Sequence, residues 1–169
     1  MSMKKLLSLS LGTSLVIAAA SVGAQQAAAP PPPPPAYGPP ITLEVAKKVV
    51  AGAEAEAKKN NWNVVIAVLD SGGNLVLLQR LDGTQIGSVE VAREKAFSAV
   101  AFRRPTKVFE DLVGQGGANL RLLRLSGASP LDGGIPIIVD GKLVGGVGVS
   151  GVTGAQDAQI ARAGIDALK

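Results

Sequence analysis

Histidine and cysteine are both absent from this 169-residue chain, and aromatic residues make up only 3% of it. Zinc sites are usually built with cysteine or histidine, so the ordinary zinc ligand sets are excluded. Catalytic triads of the Ser-His-Asp and Cys-His kinds are excluded as well. No disulfide can form, so the fold must be held by its core alone. A mechanism with paired carboxylates remains possible, but turn formation explains the aspartates that lie beside glycines, so the sequence favours binding over catalysis. They are Asp70, Asp82, Asp132 and Asp140.

The usual ligands of heme iron are equally scarce. Heme iron is normally held by histidine, cysteine, methionine or tyrosine. The two methionines are Met1 and Met3, and the one tyrosine is Tyr37, which follows a run of prolines. The chain also lacks a strong excess of one charge, with 17 basic and 13 acidic side chains, two of the basic ones at Lys4 and Lys5. This balance does not indicate a nucleic-acid partner.

The first 24 residues have the three parts of a secretory signal peptide. Lys4 and Lys5 precede an apolar stretch at residues 6–22, and the small residues Val22-Gly23-Ala24 follow. This order predicts export to the periplasm or the medium, with cleavage near Ala24. An uncleaved membrane anchor is the alternative. A spanning helix needs about 20 predominantly apolar residues, and this stretch is shorter and interrupted by polar ones. We therefore expect no stable membrane span after cleavage.

Residues 25–40 are rich in proline and predict a linker. Pro30 to Pro35 form an unbroken run, and Pro39-Pro40 close the segment. Proline fixes φ and lacks the N–H group, so an extended polyproline spacer is expected here. A ligand for a proline-binding module is the other interpretation. Residues 41–169 then have the length of one domain with a sufficient core.

The hydrophobic pattern of residues 41–169 predicts an α+β fold. Thr42 can cap a helix that runs to about Asn60, and two strands joined by a turn follow at residues 64–69 and 75–81. A second helix begins at Ser88 and ends or kinks at Pro105. Residues 120–125 are ambiguous between a short helix and an edge strand. A second hairpin at residues 135–149 precedes a last helix, residues 155–168.

The order is therefore α-β-β-α-(irregular)-β-β-α. Hairpins outnumber crossover connections, so we expect a central antiparallel sheet of about five strands with helices packed on it. Thr153 and Gln156 have the spacing of a capping box at the start of the last helix.

Two stretches are candidates for a binding site. The first is the glycine-rich segment 145–154, where Gly151 and Thr153 lie at a helix N-terminus that can bind a carboxylate or phosphate. Close packing of a strand against a helix explains the same glycines equally well. The second stretch alternates cations with aromatic rings on and just after the second helix. It includes Lys95, Phe102, Arg103, Arg104, Thr106 and Phe109, and also Arg93 and Lys107. Rings and arginines together can hold a flat anionic ligand, whereas a solvated helix face with core phenylalanines is the simpler interpretation.

Several blocks of the sequence, taken in order, resemble one known family. They are Ala67–Leu75, Arg80–Gly83, Gly87-Ser88, Ala92–Ala96, Phe102–Thr106, Gly133–Pro136 and Gly145–Gly151. The chain from about Thr42 to Lys169 is similar through them to the GlcG/HbpS-like heme-binding family, which includes the C-terminal domain of corrinoid adenosyltransferases.

The resemblance implies an α+β sandwich with about five antiparallel strands, assembled as dimers or larger rings. It implies heme as the cofactor. Some members of the family use a histidine at the iron, and in the secreted heme binder a threonine is implicated. The matching position here is Thr106, which becomes the candidate iron ligand. Arg103 and Arg104 would pair with the propionates, and Phe102 or Phe109 would pack on the porphyrin.

Three functions follow for an exported protein of this kind. The first is weak, exchangeable heme binding for sequestration, delivery or sensing. The second is binding of a small organic acid, or a minor enzymatic activity on one, at the glycine-rich segment. The third is a homo-oligomeric interaction module that contacts an envelope sensor protein.

Overall fold

The computed structural model describes residues 33–169, which form an α+β domain. The predicted signal peptide and the first part of the predicted linker lie outside the described residues. The elements in chain order are β1 (Ala36–Tyr37), α1 (Leu43–Lys59), β2 (Val65–Asp70), β3 (Leu75–Arg80), α2 (Ser88–Ala101), α3 (Lys107–Gly114), a 3-10 helix (Gly117–Arg124), β4 (Gly134–Val139), β5 (Lys142–Ser150) and α4 (Gly154–Asp166). The predicted α+β class is confirmed.

The sheet has five strands, four of which are antiparallel neighbours in the order β4-β5-β2-β3. The two predicted hairpins, β2–β3 and β4–β5, are both present. The fifth strand, β1, comes from the segment predicted as a linker. It lies parallel to the start of β5, with Ala36 opposite Lys142 and Tyr37 opposite Leu143. The sheet is therefore mixed, and only its four long strands match the antiparallel expectation.

Helices cover both faces of the sheet. Val64, Ile66 and Val68 face α1 and α4, while the alternate residues Val65 and Ala67 face α2. Successive side chains of a strand point to opposite faces, so a strand covered on both sides reads as a continuous apolar run. This burial explains the unbroken run at residues 64–69 from which the strand was predicted.

Glycines in the second hairpin let α2 lie directly on the sheet. A Cβ at Gly148 would stand 2.0 Å from the carbonyl oxygen of Ala92, and one at Gly134 would stand 2.3 Å from that of Lys95. Gly146 is in the same situation against Ala96. Only glycine permits so close an approach of helix backbone to strand backbone. Close packing against α2 therefore explains why glycine occupies these positions, including Gly146 and Gly148 of the glycine-rich segment.

The ends of the helices follow the predicted signals. The Thr42 hydroxyl accepts a hydrogen bond from the backbone N–H of Val45, and Thr153 and Gln156 form the complete capping box. α2 ends at Ala101, four residues before Pro105. The ambiguous residues 120–125 belong mostly to the 3-10 helix.

Residues 33–40, which we call the N-terminal arm, lie against the domain. The backbone N–H of Gly38 donates to the carbonyl of Leu143 at 2.7 Å, and that of Ile41 donates to Val144 at 2.8 Å. The arm is therefore part of the compact unit Pro33–Lys169. In the described residues, no helix is long and apolar enough to cross a membrane.

Candidate functional site

The chain turns sharply after α2, and an arginine occupies the turn. The N–H of Arg103 donates to Val100 and the N–H of Arg104 donates to Ala99, which is the hydrogen-bond pattern of a Schellman motif. Arg103 has φ +52° in this motif. Glycine is the usual residue at such a left-handed position, because a side chain there is strained. Arg103 therefore forms this turn at a conformational cost that glycine would avoid.

The Arg103 side chain contacts the N-terminal arm. Its guanidinium carbon lies 5.3 Å from the centroid of the Tyr37 ring, and its Nη1 donates to the carbonyl of Pro35 at 3.3 Å. The Tyr37 hydroxyl donates to the carbonyls of Val100 and Ala101 at 3.0 and 3.2 Å. Both carbonyls lie in the last turn of α2, where the regular hydrogen bonds of the helix end, and the Val100 carbonyl also accepts from the N–H of Arg103. The arm thus caps α2, and Tyr37 and Arg103 meet there.

Two phenylalanines and Arg104 form the rest of this surface. The rings of Phe102 and Phe109 pack edge to face with centroids 5.1 Å apart. The exposed guanidinium of Arg104 lies 6.0 Å from the centroid of Phe109, whose side chain is buried. The structure therefore brings together the predicted residues Phe102, Arg104 and Phe109, whereas Arg103 is their neighbour in the chain and its side chain lies against the N-terminal arm. We call this surface, with the neighbouring Thr106, the α2–α3 corner.

Thr106 belongs to the corner by position, but its hydroxyl faces the interior. The residue is fully buried. Its Oγ1 accepts a hydrogen bond from the N–H of Gly134 at 2.9 Å and lies 3.4 Å from the carbonyl oxygen of the same residue. In this arrangement the hydroxyl joins α3 to β4. As an iron ligand, Thr106 would first have to leave Gly134.

Lys95 is also placed away from the corner, in a buried ion pair. Its Nζ donates to Asp157 at 2.8 Å and to the carbonyl of Val149 at 2.9 Å, and both charged side chains are 3% exposed. Burial raises the pKa of Asp157, while the bond from Lys95 acts in the opposite direction. The pair connects α2 to α4. The ammonium group of Lys95 is therefore not available to a ligand on the surface.

Gly151 and Thr153 lie in the loop before α4, where side chains of the loop and α4 already bind the backbone N–H groups. The N–H of Val152 donates to Asp157, that of Thr153 to Gln156, and that of Gln156 to the Thr153 hydroxyl. A Cβ at Gly151 would stand 2.3 Å from the carbonyl oxygen of Asn63, so this glycine permits close packing. These contacts leave little of the predicted anion cradle.

The structure also has a cavity of about 340 Å³ that we did not predict from the sequence. It is lined by Leu69, Gly73, Leu75, Glu90, Arg93, Glu94, Phe97, Gly127 and Ala128. The ring of Phe97 lies between Gly73 and Gly127, both at positive φ. The cavity shares no lining residue with the α2–α3 corner. Within the described residues, no group of acidic side chains is arranged to hold a metal ion.

The fold and these motifs define a class: α+β domains with a helix packed on glycines of a central sheet and a basic-aromatic corner after it. The chain belongs to the HbpS-like family, since the family model described as "Haem degrading protein HbpS-like" matches residues 41–166. The predicted family resemblance is confirmed.

The chain is 42% identical over 110 residues to the protein GlcG of Escherichia coli K12, covering 65% of this chain and 81% of GlcG. It is 40% identical over 129 residues to an uncharacterized 15.0 kDa protein from Citrobacter freundii, covering 75% and 90% of the two chains.

Two solved structures are similar in fold and sequence. A crystal structure of HbpS has a TM-score of 0.71 and 36% identity, covering 78% of this chain and 92% of that chain. The crystal structure of a PduOC:Heme complex has a TM-score of 0.69 and 28% identity, covering 76% and 94%. The second structure shows that a protein with this fold binds heme.

Proposed function

We propose that this protein binds heme at the α2–α3 corner. The observation that carries the proposal is the turn after α2, where Phe102, Arg103 and Arg104 follow one another, the Phe102 ring packs on Phe109, and the Arg104 guanidinium lies near the same ring. The half-buried Phe102, backed by the buried ring of Phe109, offers apolar area for the porphyrin, and Arg103 and Arg104 offer donors for its propionates. Guanidinium groups bind carboxylates through paired, charge-assisted hydrogen bonds. The complex of heme with PduOC and the description of the family support the same ligand.

The residues of the corner fit the porphyrin better than they fit its iron. The sequence has no histidine or cysteine, and the Thr106 hydroxyl is bound to Gly134. Arg103 is shared with the N-terminal arm, so a propionate must compete with the carbonyl of Pro35. Both features favour weak, exchangeable binding over a permanently held group. Such binding suits sequestration, delivery or sensing of heme.

A hemin titration tests the proposal. The protein, purified after expression of the full chain, should shift the Soret band of ferric hemin with saturation. The double variant Arg103→Gln/Arg104→Gln should bind with an affinity lower by on the order of tenfold, because two solvent-accessible ion pairs of about 0.2–1 kcal/mol each are lost. Arg162→Gln is the matched control, since Arg162 is an exposed arginine on α4. A spectrum that stays that of free hemin would refute heme binding.

Binding of a small organic acid is less well supported, because N–H groups of the glycine-rich segment are occupied by Asp157, Gln156 and Thr153. A thermal-shift screen with hydroxy acids separates the two ligands. A shift with an acid that depends on residues 151–154 but not on Arg104 would favour the organic acid.

We further propose that the protein is exported and cleaved near Ala24. The basic start, the apolar stretch and the small residues of the sequence support this. Fractionation of expressing cells should find the protein in the periplasm or medium, with a mass that matches cleavage. Recovery of the intact chain in the membrane fraction would favour the anchor instead.

Homo-oligomer formation is a third proposal, with an envelope sensor as a candidate partner. The 3-10 helix has no buried residue, and the side chains of Leu120, Leu123 and Leu125 are exposed. Apolar side chains grouped on a surface favour association. Light scattering after size exclusion should give a mass above that of one chain. The double variant Leu120→Gln/Leu123→Gln should lower it.

A further inference from the structure

We infer that Tyr37 supplies the axial oxygen ligand to heme iron at the α2–α3 corner. This inference rests on the heme function proposed above and assigns the iron ligand within it. It places a functional residue in the N-terminal arm, outside the residues that match the family model.

The composition of the chain leaves one conventional candidate. Proteins hold heme iron through histidine, cysteine, methionine or tyrosine. The sequence has no histidine or cysteine, and its two methionines are Met1 and Met3, within the segment predicted to be cleaved. Tyr37 is the only tyrosine. Of the usual ligands of heme iron, tyrosine is therefore the one that remains after the predicted cleavage.

The fold brings this tyrosine to Arg103, one of the residues of the proposed heme surface. Tyr37 is 66 residues from Arg103 in sequence, yet the Arg103 guanidinium lies 5.3 Å from the centre of its ring. Phe102 directly precedes Arg103 at the end of α2. Tyr37 is 49% exposed, so a ligand on the surface can reach it. Thr106, in contrast, is fully buried and bound to Gly134.

The surroundings of Tyr37 suit an oxygen ligand in two respects. The guanidinium of Arg103 places positive charge beside a phenolate bound to ferric iron, and such charges attract most strongly where water is displaced. The hydroxyl is held by the carbonyls of Val100 and Ala101 at the partly buried end of α2, and it would exchange these two partners for the iron. β1 pairs with β5 through only two residues, so the arm can adjust when a ligand binds.

The position of Arg103 in the left-handed region supports the same assignment. Glycine would form this turn with less strain. The arginine adopts this conformation at a cost in energy, and the contacts of its side chain are with Tyr37 and Pro35. Strained residues of this kind concentrate at functional sites. Arg103 thus acts as a positioning residue for Tyr37.

Absorption and electron paramagnetic resonance spectra of the hemin complex test the inference. The protein expressed from the full chain should show the charge-transfer band and high-spin ferric signal of phenolate ligation. Tyr37→Phe keeps the ring beside Arg103 and removes only the oxygen, so it should lose both signals and bind hemin more weakly by on the order of tenfold. Tyr37→His should restore ligation with the spectrum of an imidazole. Thr106→Val should keep the phenolate spectrum.

The outcomes separate this inference from the proposed function. If hemin binds and the spectrum is the same in the original chain and in Tyr37→Phe, Tyr37 is not the ligand, while heme binding stands. If Thr106→Val alone changes the spectrum, the threonine holds the iron and the inference is wrong. If the original chain leaves the spectrum of free hemin unchanged, both proposals fail. Circular dichroism of each variant verifies that the fold is retained.

Discussion

Arg103 shows how one residue can be unfavourable for local structure and useful at a site. Its φ of +52° costs roughly 1 kcal/mol relative to glycine. Its side chain recovers part of this by a cation–π contact with Tyr37 and a hydrogen bond to Pro35. The strained backbone of Arg103 therefore lowers the stability of the domain, whereas its contacts with the N-terminal arm raise it. Substitutions can measure the two contributions separately.

Arg103→Gly and Arg103→Ala remove the same contacts, but only glycine relieves the strain. We expect Arg103→Gly to be more stable than Arg103→Ala by about 1 kcal/mol, measured by urea unfolding. Both should bind hemin more weakly than the original chain. Equal stability of the two variants would show that the turn is not strained.

Lys95 is a second residue whose role depends on its position on its helix, because it lies on the face of α2 that packs against the domain. The sequence indicated a basic cluster, but Lys95 lies three residues after Ala92 and one before Ala96, on the apolar face of α2. That spacing was the available signal that Lys95 points inward. Its partner Asp157 is 62 residues away, and nothing in the sequence pattern pairs them.

We expect Lys95→Met to destabilise the domain by about 3 kcal/mol at pH 7, because Asp157 is left buried without its partner. Burial already raises the pKa of Asp157 above its usual 3.8, with Asp132 adding to the rise, and loss of Lys95 should raise it further. A group whose pKa is raised by folding stabilises the folded state at pH values below its unfolded-state pKa. This stabilisation is lost as the pH rises through the folded-state pKa. The deficit of Lys95→Met should therefore be smaller at pH 4 than at pH 7.

Unfolding of both proteins in urea over this pH range measures the effect. Lys95→Met/Asp157→Leu is the control, because it removes both charges and should recover much of the stability with no pH-dependent deficit. A deficit that grows toward acid would contradict the assigned direction of the Asp157 shift.

At the scale of elements, the glycines of β4 and β5 decide how α2 lies on the sheet. We expect Gly148→Ala to destabilise the domain by about 3 kcal/mol, since the new Cβ would meet the Ala92 carbonyl and force α2 outward. Gly114→Ala is the matched control, because a Cβ there meets nothing within 4 Å. Its effect should stay within about 1 kcal/mol. A mild effect of Gly148→Ala in thermal unfolding would mean that α2 shifts easily.

Elements whose signals are local were predictable from the sequence. Capping by Thr42 and Thr153 marked the starts of α1 and α4, and the continuous apolar run marked β2. β1 was not predictable, because two residues between prolines carry no strand signal. Its pairing is set by contacts of Tyr37 with the end of α2, more than sixty residues along the chain. A lone tyrosine within a proline-rich spacer was the one indication that this segment contacts something.

The candidate site divides in the same way. Phe102, Arg103 and Arg104 are consecutive and follow a helix, so sequence alone placed them together. Thr106 lies only two residues further, yet it begins the next helix and faces β4. A change of direction over two residues depends on how Pro105 and the Schellman turn orient the backbone, which the order of residues does not reveal.

At the scale of the whole molecule, the N-terminal arm joins the proposed export segment to the proposed binding surface. The core lies in residues 41–161, and the arm adds no side chain to it. We therefore expect a chain that begins at Gly38 to fold, with stability lower than that of a chain beginning at Pro33 by about 1–2 kcal/mol from the lost hydrogen bonds. Thermal unfolding of the two chains measures this difference.

The same pair of chains distinguishes an arm that only caps α2 from an arm that takes part in the site. If the arm supplies the iron ligand, the shorter chain should bind hemin weakly through its rings and arginines and lack the phenolate spectrum. An arm that merely occupied Arg103 would instead lower affinity when present, so its removal would tighten binding. Because the two roles predict opposite changes in hemin affinity, one titration of both chains decides between them.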